Sequence, residues 1–460
     1  MSILQKIYEI VWGVPALALI LIVGVYLTVY SGFAQIRFLP KALKDFFSGM
    51  FGRKEKKEGT SSFQALCTAL AATVGTGNLA GVAGAIAIGG PGAVFWMWIC
   101  GILGMMIKFA EASLAVRFRT KNADGETVGG PMYVIEQGLG KKWRFLSRIY
   151  CFFGVIAAFG VGNATQINTV IVSINDTLSQ FGGAPTTVGN LLMGIGLAIL
   201  VGAMLLGGVQ RIGRTAELMV PFAAAMYLLM GLLVLILRCD AVPKAFEAIF
   251  QGAFHPQAVT GGMIGSALTT LRIGVSRGVF TNEAGMGTAG IAHGAAQVRH
   301  PVEQGFMGIV EVFLDTIVIC TMTALVILCS GVPVAYGADA GVALTTESFA
   351  AVLGPWVPTV IALALCLFAL ATVLGWGLYG IRCAQYLFGS DIWKRFVYIQ
   401  IATVVLASVL QAETVWLMAE VINGLMSIPN LIALLVLSPE VMKLIRQYKR
   451  KSSIYAINGG

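Results

Sequence analysis

The chain has 460 residues, of which 57 % are hydrophobic and 12 % are charged, and its mean hydropathy is +0.83. This composition excludes an ordinary soluble globular protein, in which about a quarter of the residues are charged. The formal net charge of +9 could indicate a nucleic-acid partner, and the positions of the charges along the chain decide whether it does.

Apolar runs of roughly 20 residues, the length that crosses a bilayer, occur about eleven times along the chain. The first run is too long for a signal-peptide core and has neither a basic n-region nor a small-residue cleavage site, so we expect it to be the first span. The predicted fold class is therefore an all-α polytopic membrane protein. The predicted spans are 8–31, 63–90, 92–116, 150–172, 187–207, 216–237, 260–292, 305–331, 355–381, 396–411 and 414–437.

The basic residues are distributed unevenly between the segments that connect these spans. With the N-terminus outside, 25 of the 31 lysines and arginines fall in inward segments, three in outward segments and three within spans. The outward segments 173–186 and 332–354 contain neither residue. This asymmetry follows the positive-inside rule. It predicts an outer N-terminus and a cytoplasmic C-terminus in a cell membrane of the bacterial inner-membrane type, and it argues against a nucleic-acid partner.

Two inward segments carry patterns of their own. The first follows the first span and places its apolar residues on one helical face with lysines around the other, which predicts a helix in the inner interface beside anionic lipid. A solvated linker is the alternative. The apolar residues are Leu39, Leu43, Phe46, Phe47 and Met50. The second segment, 117–149, contains "GETVGGPMYVIEQGLGKKW" and is predicted to combine a turn with a short helix.

The ten spans after the first divide into two sets of five, and the first member of each set is interrupted. The interruptions are "TVGTGNLAG" in span 63–90 and "GVFTNEAGMGTAG" in span 260–292. Because each set has five spans, the second set crosses the membrane in the opposite sense, as an inverted repeat. The predicted regions are 1–62 with an accessory helix, the repeats 63–238 and 239–437, and a basic tail 438–460.

These interruptions have a chemical consequence. Hydrocarbon offers no partner to backbone groups, so non-helical backbone at half depth must be buried or line a cavity. A break frees N–H groups that suit a carboxylate and C=O groups that suit a small hard cation. We therefore expect a sodium and amino-acid site that needs no metal-binding carboxylate. The alternative is that the glycines serve only close helix packing.

Nearly the whole chain resembles the alanine or glycine:cation symporter family. The resemblance rests on "ATVGTGNLAGVAGAIAIGGPGAVFWMW", "GGPMYVIEQGLGKKW", "RGVFTNEAGMGTAGIAHGAA" and "LDTIVICTMTALVI". It implies the leucine-transporter fold with one accessory N-terminal helix. It also implies symport of alanine, glycine or a similar amino acid with Na⁺ or, in some members, H⁺.

The resemblance also implies functional residues. The backbone at Thr76 and Gly77, with Asn78, would face the substrate carboxylate. The amino group and side chain would meet Phe280, Thr281, Asn282, Gln166 and a closing Trp376. The cation would be bound by the carbonyls of Ala71, Val74 and Phe368 and by the hydroxyl of Thr372. Many members carry a second hydroxyl where this chain has Ala371, which keeps proton coupling open as an alternative.

Most charged residues within the spans have two possible interpretations. Lys108 and Glu111 lie one helical turn apart, which favours a structural ion pair at the interface over a proton relay. Glu283 belongs to the second interruption and is expected to brace that loop, with a gate as the alternative. Asp315 is a candidate for a proton-linked group or for a partner of Arg272 or Arg277. His293 and His300 are expected at the interface.

Other function classes fit the sequence less well. A channel needs repeated ligand rings around an open pore, whereas this chain predicts one site between two repeats. An enzyme is not expected, because three histidines without metal-ligand spacing and no nucleophile motif leave no catalytic residues. The substrate stays open among alanine, glycine, serine and glutamine, and the oligomeric state is not predicted.

Overall fold

The apolar runs form helices at all eleven predicted positions in a computed structural model, which describes residues 14–52, 59–180, 182–338, 340–410 and 412–458. The first predicted span, 8–31, begins outside the described residues. The basic cluster of Arg53, Lys54, Lys56 and Lys57 also lies outside them.

The first half of the chain contains the accessory helix and five spans. Its helices are α1 (Val14–Tyr30), α2 (Ala34–Phe51), α3 (Ser62–Thr73), α4 (Val82–Gly89), α5 (Ala93–Arg117), α6 (Pro131–Tyr133), α7 (Arg144–Phe159), α8 (Thr165–Gln180), α9 (Thr187–Leu205) and α10 (Gly208–Leu237). Short π-helical stretches occur at Gly77–Gly81, Val134–Leu139 and Gly160–Ala164. The first of them lies between α3 and α4 and the third between α7 and α8, so that each pair forms one interrupted span.

The second half repeats this arrangement with its own interrupted span. Its helices are α11 (Val242–Phe254), α12 (Pro256–Thr260), α13 (Ala267–Asn282), α14 (Thr288–His293), α15 (Pro301–Val312), α16 (Thr321–Ser330), α17 (Gly341–Leu353), α18 (Val357–Phe388), α19 (Trp393–Ala407), α20 (Ala412–Val436) and α21 (Ser438–Asn458). A π-helical stretch, Phe313–Cys320, joins α15 to α16. The predicted division of the chain into four regions stays a prediction.

Length and apolarity identify six helices among the described residues that could cross a membrane, or up to nine if each of three bent pairs is one span. The two predicted spans outside this count are 260–292, which is broken between α13 and α14, and 396–411, whose helix α19 has 15 residues. The protein is therefore a multi-pass membrane protein.

The connecting segments contain more structure than the sequence predicted. Segment 117–149 includes a two-stranded antiparallel hairpin, β1 (Thr120–Lys121) with β2 (Thr127–Val128), in addition to the predicted helix. Segment 332–354 contains α17, which we did not predict. The helix predicted after the first span forms as α2, at 82° to α1, and its place at the membrane interface stays a prediction. Phe46 is its buried aromatic residue, whereas Phe47 and Met50 are exposed.

Glycines let α5 lie in close contact with α13 on one side and α15 on the other. A Cβ atom at Gly274 would lie 2.4 Å from the carbonyl oxygen of Ala93, and one at Gly308 would lie 2.6 Å from that of Lys108. Such contacts are the small-residue packing that brings membrane helices together. They place α13, the first half of the second interrupted span, and α15 directly against α5.

Candidate functional site

The first interrupted span breaks where the glycines predicted it. Helix α3 ends at Thr73, Val74 adopts an extended conformation (φ −75°, ψ 109°), and the chain resumes at Gly77 with a bend of 54°. The N–H of Gly75 donates to Asn78 Oδ1 at 2.8 Å, which holds the loop closed. The first amides of the outer half, at Thr76 and Gly77, therefore stand at the start of a helix, where intrahelical acceptors are lacking.

The second interrupted span breaks over residues 283–287. Glu283, Gly285 and Gly287 have positive φ angles of 52°, 95° and 77°. Oε1 of Glu111, on α5, accepts from the amides of Gly285 and Gly287 at 3.0 and 3.1 Å. It also accepts from Asn430 Nδ2 at 2.7 Å. The amides of this second break are therefore bonded within the protein.

The predicted ion pair between Lys108 and Glu111 is wrong. Lys108 Nζ bonds instead to Glu311 Oε1 on α15 at 2.8 Å, and both side chains are fully buried. Although Lys108 and Glu111 share a face of α5, the bare amides of the second break attract the Glu111 carboxylate. Lys108 meets its counter-ion on the neighbouring helix.

This pair belongs to a chain of buried polar contacts at the end of the helices predicted to face inward, and we term it the inner network. Glu311 Oε2 lies 2.9 Å from His293 Nε2, and His293 Nδ1 lies 2.6 Å from Gln304 Nε2. The Ser62 hydroxyl donates to Gln304 Oε1 at 2.7 Å. His293 is thus fully buried rather than interfacial, whereas His300 is half-buried and caps α15. The inner network connects α3, α5, α14 and α15.

Asp315 connects the two interruptions to each other. Its Oδ1 accepts from Asn78 Nδ2 at 2.7 Å, and its Oδ2 accepts from the Thr316 hydroxyl at 2.9 Å. Thr316 Oγ1 in turn accepts from Asn282 Nδ2 at 3.1 Å. The side-chain amides of both asparagines are therefore bonded to protein. The hydroxyl of Thr281 donates to the carbonyl of Gly278 at 2.9 Å.

A small cavity of about 20 Å³ lies at the first break. Six of the predicted site residues line it: Thr76, Gly77, Gln166, Phe280, Thr372 and Trp376. Its other lining residues are Ala72, Thr73, Gly75, Val161, Glu283 and Asn423. The remaining predicted residues are buried around it without lining it, and these are Ala71, Val74, Asn78, Thr281, Asn282 and Phe368.

Trp376 lines this small cavity and is fully buried. Its indole N–H donates to Glu283 Oε1 at 3.1 Å, and Glu283 Oε2 accepts from the Thr288 hydroxyl at 2.7 Å. Behind the indole, a Cβ atom at Gly162 would lie 2.2 Å from the Cβ of Trp376. Glu283 therefore braces the second break and the tryptophan, in the way expected of a structural residue, while also lining the cavity.

A wide space of about 860 Å³, on the side of the bundle predicted to face outward, adjoins the small cavity, and we term it the outer vestibule. Thr76, Gly77 and Phe280 line both spaces. Of these three, only Phe280 has a large side chain, and its ring contacts the break directly, because a Cβ at Gly77 would lie 3.5 Å from Phe280 Cδ1. Phe280 therefore stands between the vestibule and the small cavity.

The residues expected to bind the cation lie where α18 meets α3. The Thr372 hydroxyl donates to the carbonyl of Phe368 at 3.0 Å. A Cβ atom at Gly75 would be 2.9 Å from Thr372 Oγ1, and one at Gly375 would be 3.0 Å from the amide nitrogen of Ala72. The backbone of the first break and the Thr372 hydroxyl are thus direct neighbours.

Two side-chain oxygens at the small cavity have no hydrogen-bond partner among the described residues: Gln166 Oε1 and Asn423 Oδ1. The amide nitrogen of Gln166 is bonded, to the carbonyl of Val161 at 3.2 Å. We did not predict Asn423 as a site residue. The available signal was a polar residue within the apolar span 414–437, which is uncommon in membrane helices and often functional.

Comparisons with known proteins extend over the whole chain. The model of the family described as "Sodium:alanine symporter family" matches residues 1–455. The sodium/alanine symporter AgcS of Methanococcus maripaludis is 43 % identical over 96 % of this chain and 95 % of its own length. A probable sodium/glutamine symporter, GlnT of Bacillus subtilis, is 35 % identical over 96 % of this chain and 89 % of its own length.

A solved structure matches the architecture. The crystal structure of MhsT in complex with L-phenylalanine aligns with a TM-score of 0.57 and 14 % identity, covering 85 % of this chain and 99 % of that one. At this identity the match bears on the fold alone. It confirms the predicted leucine-transporter fold.

Proposed function

Because the chain belongs to the sodium:alanine symporter family, we propose that it moves a small neutral amino acid, such as alanine or glycine, into the cell together with Na⁺. The family makes the chain a cation-coupled amino-acid symporter and not an enzyme. The identity of the amino acid and of the cation is our proposal.

The outer vestibule that ends on the first break carries this proposal. Helix N-termini bind anions through their free amides and the positive end of the helix dipole. The amides of Thr76 and Gly77 are placed at such an N-terminus, at the floor of a space that is open to one side. We therefore assign the substrate carboxylate to these two amides. Asn78 shapes the loop that presents them.

For the cation we propose the carbonyls of Ala71, Val74 and Phe368 and the hydroxyl of Thr372. The contact between Thr372 and the loop at Gly75 supports this assignment. Carbonyls at the end of an inner half-helix suit Na⁺ in transporters with broken helices. Ala371 offers no hydroxyl at this point, so the site has one oxygen fewer than in many relatives, and H⁺ stays the alternative cation.

The small cavity favours a small side chain. Phe280 and Trp376 bound it, and its volume of about 20 Å³ requires rearrangement even for alanine. Phe280, which separates the cavity from the vestibule, is the side chain that we propose moves. Thr281 and Asn282, predicted to meet the substrate beside it, are bonded to Gly278 and Thr316 and would reach the substrate only after such a movement. Serine and glutamine are the alternative substrates, since one relative is named as a probable sodium/glutamine symporter.

We propose that the vestibule faces the outside of the cell. Its walls include parts of segments 173–186 and 332–354, which lack basic residues. On the opposite side the hairpin closes the bundle: Arg382 pairs with Glu126 at 2.8 Å, and Arg119 donates to the carbonyl of Ala296 at 2.6 Å. The structure then represents an outward-facing form, with the N-terminus outside and the C-terminus in the cytoplasm of a bacterial cell.

The test is uptake of radiolabelled alanine into proteoliposomes that contain the purified protein. We expect an inward Na⁺ gradient to drive accumulation, and unlabelled alanine on the opposite side to exchange with the label in counterflow. Uptake that ignores both Na⁺ and pH gradients would refute coupling. Uptake without saturation or counterflow would point to a channel. Competition by glycine, serine and glutamine in the same assay identifies the preferred substrate.

A further inference from the structure

We propose that Asn423, on α20, binds the ammonium group of the transported amino acid through its side-chain oxygen, in company with Gln166. This inference rests on the proposed function and adds a residue to it. Neither the family resemblance nor the span pattern pointed to α20 as part of the site.

The first observation is the position of unpaired oxygens. Eight buried side-chain polar atoms have no hydrogen-bond partner among the described residues, and only two of the eight belong to residues that line the small cavity. These two are Gln166 Oε1 and Asn423 Oδ1. A buried acceptor without a donor is unfavourable, so both oxygens gain if a ligand supplies the donors.

The second observation is the complementary chemistry across the cavity. The amides of Thr76 and Gly77 are donors, whereas Gln166 Oε1 and Asn423 Oδ1 are acceptors, and all four residues line one small space. An α-amino acid carries three N–H donors on its ammonium group and only acceptors on its carboxylate. The donor and acceptor groups of the cavity therefore match the two ends of a zwitterion.

The third observation is a contrast with another asparagine of the same helix. Asn430 lies about two turns further along α20, and its amide nitrogen donates to Glu111 Oε1 and to the carbonyl of Gly285. It is a structural asparagine with protein partners. Asn423 Oδ1 is equally buried and has none among the described residues. The Glu283 carboxylate, which also lines the cavity, adds negative potential that favours a cationic group there.

The experiment measures alanine binding to the purified full-length protein by calorimetry in saturating Na⁺. Asn423→Leu removes the acceptor and should raise Kd about tenfold or more, the loss expected for a hydrogen bond to a charged group. Asn423→Asp keeps an acceptor and should retain binding. If the amide nitrogen faced the substrate carboxylate instead, the aspartate variant would lose binding by repulsion, and the proposal would be overturned.

A second ligand separates an ammonium contact from a structural role. N-methylalanine has one ammonium N–H fewer than alanine, so it should bind more weakly than alanine to the wild type. The ratio of the two Kd values should be smaller in Asn423→Leu than in the wild type. Equal ratios in both proteins would contradict the contact. Ser427→Ala is the matched control, because Ser427 is a buried polar residue one turn away that does not line the cavity. If Asn423→Leu does not fold, Asn423→Ser, with a shorter side chain, takes its place.

Failure of this inference differs from failure of the proposed function. If wild-type protein shows no Na⁺-dependent alanine uptake, the proposed function fails. If wild type transports alanine and Asn423→Leu binds it with an unchanged Kd, only the role of Asn423 fails.

Discussion

Trp376 and Glu283 are joined by a hydrogen bond of 3.1 Å between the indole Nε1 and the carboxylate Oε1. This bond connects α18, which carries the proposed cation ligand Thr372, to the second interrupted span. Both residues also line the small cavity. The position of the indole, and with it the size of the cavity, therefore depends on the second break.

Replacing Trp376 should widen substrate selectivity. Trp376→Ala removes the largest side chain at the small cavity, so amino acids larger than alanine should compete more strongly for uptake. Trp376→Phe is the control, because it loses the bond to Glu283 but keeps an aromatic ring and most of the volume. Competition of labelled alanine uptake by a panel of amino acids measures the change. An unaltered ranking in Trp376→Ala would show that this residue does not limit side-chain size.

Adding a methyl group at Gly162, behind the indole of Trp376, should restrict the small cavity rather than widen it. A Cβ atom at Gly162 would lie 2.2 Å from the Cβ of Trp376, so Gly162→Ala must push the tryptophan or its helix. We expect weaker alanine binding, with KM raised severalfold. Gly196→Ala is the matched control, since no atom lies within 4 Å of the added Cβ. Equal KM values in the two variants would mean that the surrounding helices absorb the methyl group.

The proposed cation site predicts a selective loss in Thr372→Ala. Removing the hydroxyl takes one ligand oxygen from a site that already lacks one at Ala371. The Na⁺ concentration for half-maximal uptake should therefore rise, while the apparent alanine affinity at saturating Na⁺ changes less. Thr403→Ala is the control, because the Thr403 hydroxyl makes the same bond to a carbonyl four residues earlier, on α19. Unchanged Na⁺ dependence in Thr372→Ala would place the cation elsewhere.

The ion pair between Arg382 and Glu126 predicts a shift between conformations. Glu126 is half-exposed, so removing its charge should lower folding stability only slightly. The same change should release the hairpin that closes the inner side. The reporter is a cysteine at position 68, in place of Thr68 beside this closure, in a protein that also carries Cys239→Ser. The Glu126→Gln substitution should make this cysteine react faster with a maleimide.

The charge-swapped variant Glu126→Arg with Arg382→Glu tests whether attraction is the cause. It should return labelling of the Thr68 cysteine to the original rate. If Glu126→Gln labels no faster than its parent, the pair does not control inner closure.

Local pattern was sufficient to predict the spans and the two breaks. Apolar length located the helices, and clustered glycines located the interruptions, because both depend on residues close in sequence. The pairing of charges could not be predicted in this way. Lys108 meets Glu311, 203 positions away, whereas the neighbour on its own helix, Glu111, is occupied by the amides of the second break.

The site was predictable only on the spans that the sequence itself marked. Six expected residues line the small cavity, all on spans that the glycine pattern or the family resemblance marked. Asn423 comes from the last span, whose position beside the first break depends on how distant helices assemble. The helix α17, which lines the vestibule, was missed because its 13 residues are too short for a span.

The inner network, finally, constrains how this sequence can diverge. Removing one partner of a buried ion pair costs roughly 3–5 kcal/mol, whereas replacing both partners with apolar residues of similar volume is often neutral. A single substitution at Lys108, Glu311 or His293 should therefore give an unstable protein. We expect these positions to vary together among descendants of this gene, as one inherited block, so that a homologue with an apolar residue at position 108 also lacks the carboxylate at position 311.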